Sequence, residues 1–188
     1  MEKNFRQIPS NCKKVVLFGP ESTGKTTLAK QLAAHFKSDW VPEYAREYLQ
    51  QKWDETKEIC TKEDLPIIAA GQMTLENQKA ITTDTILFCD TDLLVTKIYS
   101  EVYFDGYCDP DLHYFAVNNT YDLYLLLNID TPWVADDLRD KPNERDMMLA
   151  AFKQALHSFK RTFELIQGQG DHRLRAAIQA IQSHFAYV

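Results

Sequence analysis

Short apolar runs recur along the chain, each bounded by glycine, proline or acidic residues, and between them the apolar positions fall into stripes of helical spacing. Val15-Val16-Leu17-Phe18 is the first run, partly β-branched and stopped by Gly19, which predicts a strand buried on both faces. From Lys25 the spacing changes to Leu28, Leu32, Ala33 and Phe36, the stripe of an amphipathic helix. A short second strand is expected at Trp40-Val41, followed by helix over 44–53. Asp64 and Pro66 mark the start of a further helix, which the pattern carries through 67–81. The run 85–89 then gives a third strand, ending at Asp90. Helices over 93–103 and 112–117 follow, then a fourth strand over 123–129. A long helix over 145–161, a strand over 162–167 and a helix over 171–185 complete the pattern.

Strands alternating with helices in this way predict an α/β fold: a five-stranded parallel sheet with helices on both faces. Such sheets bind ligands at the carboxyl ends of their strands. No repeat, low-complexity stretch or glycine- and serine-rich linker interrupts the pattern, so 1–188 is expected to form one domain.

Composition narrows the partners. The chain has 27 acidic against 21 basic residues, a net charge of -6, which disfavours a surface built for nucleic acid and favours small-molecule partners. No run reaches the ~20 apolar residues that cross a bilayer, and the first ten residues lack the apolar stretch of a secretion signal, so no membrane insertion and a cytoplasmic location are expected. Cys12, Cys60, Cys89 and Cys108 are too widely spaced for a zinc or dithiol motif and read as free thiols. The five histidines are scattered, without the spacing of metal ligands.

Residues 19–26 read G-P-E-S-T-G-K-T between the first strand and the first helix, the pattern of a phosphate-binding P-loop. Gly19 and Gly24 let the backbone turn its N–H groups inward, and the helix from Lys25 points its positive end at the same place. Lys25 supplies mobile charge for the β and γ phosphates, and Thr26 a hydroxyl suited to Mg²⁺. The expected nucleotide-binding residues are Gly19, Glu21, Ser22, Thr23, Gly24, Lys25, Thr26 and Thr27, with ATP and Mg²⁺ as cofactors. These features describe a P-loop NTPase and support a small kinase that spends ATP on a small-molecule acceptor.

Phosphoryl transfer further requires a metal anchor, a group that takes or orients the acceptor proton, and positive charge on the moving phosphoryl. Asp90, at a strand end, suits the metal anchor beside Thr26; the competing use of Asp90 or Asp92 is to cap the helix that starts at Leu93. Glu43, after the second strand, faces the same sheet edge and suits the proton acceptor, or else is a solvated carboxylate paired with Arg46 one turn on. The segment 130–146 carries Asp130, Pro132, Trp133, Arg139, Lys141 and Arg145. It reads as a lid that brings Arg139 or Arg145 to the phosphoryl group, Arg139 being the stronger choice, or else as a polar connection. The expected catalytic set is Lys25, Glu43, Asp90, Asp92, Arg139 and Arg145. The stretch 167–173 is assigned to the adenine side by position alone.

Four motifs, in order, resemble the ribosylnicotinamide kinase family, of the kind found at the C-terminus of the bacterial regulator NadR: G-P-E-S-T-G-K-T-T at 19–27, P-E-Y-A-R-E-Y at 42–48, F-C-D-T-D at 88–92 and T-P-W-V-A-D-D-L-R at 131–139. The resemblance implies a P-loop ATPase or kinase domain of the AAA_28 type, nucleoside-kinase-like with a lid. It also implies phosphorylation of the 5'-hydroxyl of nicotinamide riboside to nicotinamide mononucleotide in NAD salvage. By the same resemblance Glu43, Tyr44, Arg46, Asp90 and Asp92 line the nucleoside and Lys25 and Thr26 the ATP side; Trp133 joins the substrate set as an aromatic face suited to a positive ring, and Thr26 and Asp90 are the metal residues by the reading above. With about eighteen residues ahead of Gly19, neither the DNA-binding nor the adenylyltransferase portion of the regulator is expected. The alternatives are a kinase for another nucleoside or small alcohol, and a regulatory NTPase without an acceptor. Against the latter, no aspartate lies three positions before a glycine, and the one T-K-E-D string, at 61–64, precedes the third strand.

Overall fold

The computed structural model describes residues 4–138 and 143–185. In chain order the first half comprises β1 (Lys13–Phe18), α1 (Lys25–Phe36), β2 (Asp39–Val41), α2 (Tyr44–Thr56), α3 (Asp64–Thr82) and β3 (Ile86–Asp90). The second half comprises α4 (Leu93–Tyr103), α5 (Pro110–Asn118), β4 (Leu123–Leu127), α6 (Arg145–Ser158), β5 (Phe163–Ile166) and α7 (Gly170–His184). The strands form one sheet in the order β2-β3-β1-β4-β5, every neighbouring pair parallel.

Alternation along each strand divides the core into two layers. Val15 and Leu17 of β1 face α1 and α7, packing with Leu28, Leu32, Ala177 and Ile181. Val16 and Phe18 face α4 and α6, packing with Leu94, Ile98 and Phe152. Phe18 meets Tyr124 and Phe152 edge-on at 5.2 and 4.8 Å between ring centres. Central strands covered on both faces bury every side chain, which is why β3 and β4 appear in the sequence as unbroken apolar runs.

All five strands and seven helices lie where the pattern places them, with shifts at their ends that have local causes. α5 starts at Pro110 rather than 112 because Asp109 caps it, accepting from the N–H groups of Asp111 (2.9 Å) and Leu112 (3.2 Å). α6 stops at Ser158, short of 161: Lys160 adopts a left-handed φ of 52°, and Arg161 turns back to donate to the carbonyls of Ala116 and Val117 that end α5. The four cysteines are free thiols, as expected. Among the described residues, no helix is long and apolar enough to cross a membrane.

The sheet order positions the site. β1 is flanked by β3 and β4, reached by connections running in opposite directions, so a crevice opens where β1 ends. Register sets Leu17 beside Asp90 on one side and Phe18 beside Leu126 on the other, so the chain leaves β1 between the ends of its two neighbours.

Candidate active site

At the end of β1 the chain must turn sharply without striking β4. A Cβ at Gly19 would lie 3.0 Å from the carbonyl oxygen of Leu127, and Gly19 has a φ of 138°, so only glycine leaves the strand cleanly here. The loop returns through Gly24, which precedes the first turn of α1 with a φ of 80°. Inside it the buried Lys25 ammonium donates to the carbonyls of Gly19 (3.0 Å) and Pro20 (2.9 Å), and the Thr23 hydroxyl donates to Pro20 as well (2.8 Å). The lysine is thus held across the mouth of the loop by groups that an anionic ligand can replace.

Asp90 meets this loop from β3. Its Oδ2 accepts the Thr26 hydroxyl, while Oδ1 is buried with no hydrogen-bond partner among the described residues. Burial, and after it the nearby charge of Glu43, push the Asp90 carboxyl up to about 6. A hydroxyl and a half-satisfied carboxylate, side by side at the foot of a phosphate loop, are the hard oxygen donors that Mg²⁺ prefers. Among the described residues no group of three or more histidine, cysteine or acidic side chains gathers into an all-protein metal cage. The pair Thr26 and Asp90 therefore fits an ion that keeps water and phosphate oxygens as its other ligands.

From this junction a cleft of about 680 Å³ runs along α2, lined by Thr26, Glu43, Arg46, Glu47, Asp54 and Asp90 among others. Glu55 adds a fifth carboxylate, against a single cation among the described lining residues, Arg46. That guanidinium pairs with Asp136 at 3.1 and 2.7 Å instead of with Glu43, and the pairing raises its pKa. Glu43 precedes the first turn of α2 and makes no capping bond with its side chain.

The segment 130–138 has neither helix nor strand and lies against the phosphate loop. Thr131 Oγ1 donates to the Ser22 carbonyl (2.6 Å), and the Val134 N–H donates to the Ser22 hydroxyl (3.0 Å). Arg145, at the start of α6, bridges the Thr131 (2.9 Å) and Ser22 (3.2 Å) carbonyls. On the far side Asp136 and Asp137 reach α2 through Arg46 and Gln50. The segment thus spans from the donor loop to the cleft, with half-buried Trp133 on it. Arg139 lies outside the described residues.

The sequence-derived residues separate into groups. Lys25, Thr26, Asp90 and Glu43 come together, with Arg46 lining the same cleft and Arg145 at the loop's outer edge. Asp92 points elsewhere: its Oδ1 caps α4 through the Val95 N–H (3.1 Å), and its Oδ2 accepts the Tyr124 hydroxyl (2.7 Å). Burial pushes its carboxyl up to about 7. Of the two acids, Asp92 takes the capping role and leaves Asp90 to the site. Tyr44 stacks beside Tyr48 with its ring over Gly71 of α3.

Two residues that sequence reasoning missed hold the site in place. Arg173 of α7, 4% exposed, donates to the carbonyls of Thr23, Asn128 (3.1 Å) and Gly168 (2.7 Å) and pairs with Asp130. It ties the phosphate loop to the loops after β4 and β5, so within 167–173 the arginine is a brace. Gln72 of α3 bonds both sides of Glu43. Neither carries a local sequence signal, because each acts through partners far away in the chain.

Comparison with known proteins places the fold. The AAA_28 family model, described as an AAA domain, matches residues 14–175. The trifunctional NAD biosynthesis/regulator protein NadR of Salmonella typhimurium and that of Escherichia coli are each 31% identical over 125 residues, 66% of this chain. The match spans only 30% of those relatives' length. Among solved structures, NadR protein in complex with NR superposes with a TM-score of 0.80 at 23% identity, covering 95% of this chain and 52% of that one. NadR in complex with NAD and AMP-PNP gives 0.74 at 22%, covering 95% and 51%. Thymidylate kinase from Ehrlichia chaffeensis gives 0.62 at 13%, covering 93% and 99%. The architecture is a P-loop kinase fold.

Proposed function

This chain belongs to the AAA_28 family of AAA domains, and from that premise we propose that it is an ATP-dependent kinase that phosphorylates the 5'-hydroxyl of nicotinamide riboside, giving nicotinamide mononucleotide. The observation that carries the reading is the charge of the cleft opposite the phosphate loop. Among the described residues, Glu43, Glu47, Asp54, Glu55 and Asp90 line it against one cation, Arg46, which is already paired with Asp136. A nucleoside monophosphate acceptor would bring two more negative charges among those carboxylates. A nucleoside bearing a positive pyridinium ring is attracted by them instead. The likeness to NadR, over part of its length, supports the same choice.

In this reading the backbone of 19–26 and the Lys25 ammonium bind the ATP phosphates, and Lys25 exchanges its loop carbonyls for phosphate oxygens. Thr26 and Asp90 would hold Mg²⁺, which when bound supplies charge neutralisation on the phosphates. Glu43 accepts the proton of the acceptor hydroxyl from its place across the cleft from Asp90. Arg145 and the 130–138 segment close over the donor side and limit the access of water.

The test is ADP release and product formation with a panel of acceptors: nicotinamide riboside, uridine, thymidine, deoxyadenosine and thymidine monophosphate. The expected result is turnover that depends on nicotinamide riboside and is weakest with the monophosphate. Preference for thymidine or uridine would reassign the acceptor, and ADP release indifferent to any acceptor would replace the kinase by a hydrolase.

A further inference from the structure

Glu43 has no side-chain cap bond to anchor it, yet it lines the same cleft as Thr26 and Asp90. Something else must fix it. Gln72, 2% exposed in the middle of α3, extends its amide to the turn between β2 and α2. Its Oε1 accepts the Tyr44 N–H at 2.9 Å, and its Nε2 donates to the Pro42 carbonyl at 3.3 Å. These are the backbone groups immediately before and after Glu43. One side-chain amide thereby spans the residue, supplying a partner to an N–H at the start of α2 that has no acceptor within the helix.

The preceding residue makes the approach possible. A Cβ at Gly71 would stand 2.2–2.4 Å from ring atoms of Tyr44, far inside van der Waals contact. Only glycine lets that ring lie against α3 and bring the first turn of α2 within reach of the Gln72 amide. The outer face of the same helix carries Arg46, Glu47 and Gln50 along the cleft, so the angle at which α2 docks on α3 sets where those groups stand.

We propose that Gln72 is the positioning residue for the Glu43 carboxylate, with Gly71 as the clearance that admits it, and that together they set the acceptor side of the site; this rests on the kinase reading above. Neither touches the reacting atoms. Because misplacing a catalytic group by about 1 Å costs up to about a hundredfold in rate, loss of the clamp should appear on the acceptor side alone.

The experiment is steady-state kinetics with nicotinamide riboside and ATP varied separately, on Gln72→Met, Glu43→Gln and the double variant. The expected result is a fall of about tenfold or more in acceptor kcat/KM for Gln72→Met, with the ATP KM within about twofold. On the Glu43→Gln background the same change should add less than about twofold, as for residues acting as a unit. Losses that multiply, or an ATP KM that moves in step with the acceptor term, would overturn the inference. If Gln72→Met does not fold, Gly71→Ala should give the same acceptor-side loss, and Tyr44→Ala added to it should restore part of the activity; an unaffected Gly71→Ala enzyme, or no restoration, overturns the inference. An unaltered chain inactive with nicotinamide riboside overturns the kinase reading and this inference together, whereas active unaltered protein with unaffected variants overturns this inference alone.

Discussion

Glu76 and Asp90 are both 0% exposed, and they sit at opposite ends of one sheet. At the amino ends of the strands, Glu76 Oε1 takes the Lys14 ammonium and the Gln7 amide, each at 2.8 Å, and Oε2 takes the Tyr121 hydroxyl at 2.8 Å. At the carboxyl ends, Asp90 has the Thr26 hydroxyl on one oxygen and, among the described residues, nothing on the other. The first carboxylate is finished by the protein itself, and its network pins α3 to β1 and to the entry of β4. The second is left with a lone pair unused where the phosphate loop and the cleft meet. Buried polar groups are normally satisfied, so an incomplete one beside a phosphate loop marks where the fold gives up stability for binding.

The strongest way to break this contrast is Lys14→Met. Removing one partner of a buried ion pair costs about 3–5 kcal/mol, because the other charge remains in place. Urea denaturation should show that loss, while activity per folded molecule stays near that of the unaltered chain. A loss under about 1 kcal/mol would mean that Gln7 and Tyr121 suffice and that the pair has no structural weight.

Asp90→Asn should act in the opposite sense. A carboxyl whose folded pKa is raised holds its proton more tightly in the folded chain, so the stability it lends is fully present below about pH 4 and is lost as pH rises through about 6. The ligand-free Asp90→Asn variant should therefore be more stable than the parent at pH 8, by roughly 2 kcal/mol after the amide's own burial is counted. It should also lose about a hundredfold or more in turnover. In the unaltered enzyme kcat/KM should rise with pH through about 6 as Asp90 ionises, a limb absent from the variant. Thermal melts and the pH profile report the two halves, and a variant that is both active and no more stable would remove Asp90 from the site.

The smallest effect is expected two residues on. Asn at position 92 retains an oxygen for the Val95 N–H and an amide that can meet the Tyr124 hydroxyl, so Asp92→Asn should keep turnover within about threefold. A large loss of turnover without loss of stability would return Asp92 to the chemistry.

The course of the fold was legible because continuous apolar runs and helical stripes are direct consequences of burial on two faces. The donor half of the site was legible for a similar reason: the phosphate loop is local, with all its chemistry in 19–26. The acceptor half was legible only in part: Glu43, Arg46 and Asp90 were expected there and line the cleft, but their partners were not. Whether Asp90 or Asp92 caps α4 depends on Tyr124, thirty-two residues beyond Asp92, and Arg46 pairs with Asp136 across ninety. Gly71 did carry a faint sign, an isolated glycine within a helical pattern, but its reason is the Tyr44 ring on another helix. Lys14 extends β1 beyond the apolar run because Glu76 meets it, and no window around residue 14 contains that fact.

Arg173 also bears on the order in which the protein is made. Its partner Thr23 lies 150 positions earlier, and its other acceptors, at 128, 130 and 168, are loop groups that it draws together with the phosphate loop. During synthesis the nucleotide loop emerges well before Arg173 and lacks this brace until α7 follows and packs against α1. A chain stopped short of residue 173 thus carries the whole P-loop motif without the guanidinium that braces it, so the motif and its working shape are separable along the chain.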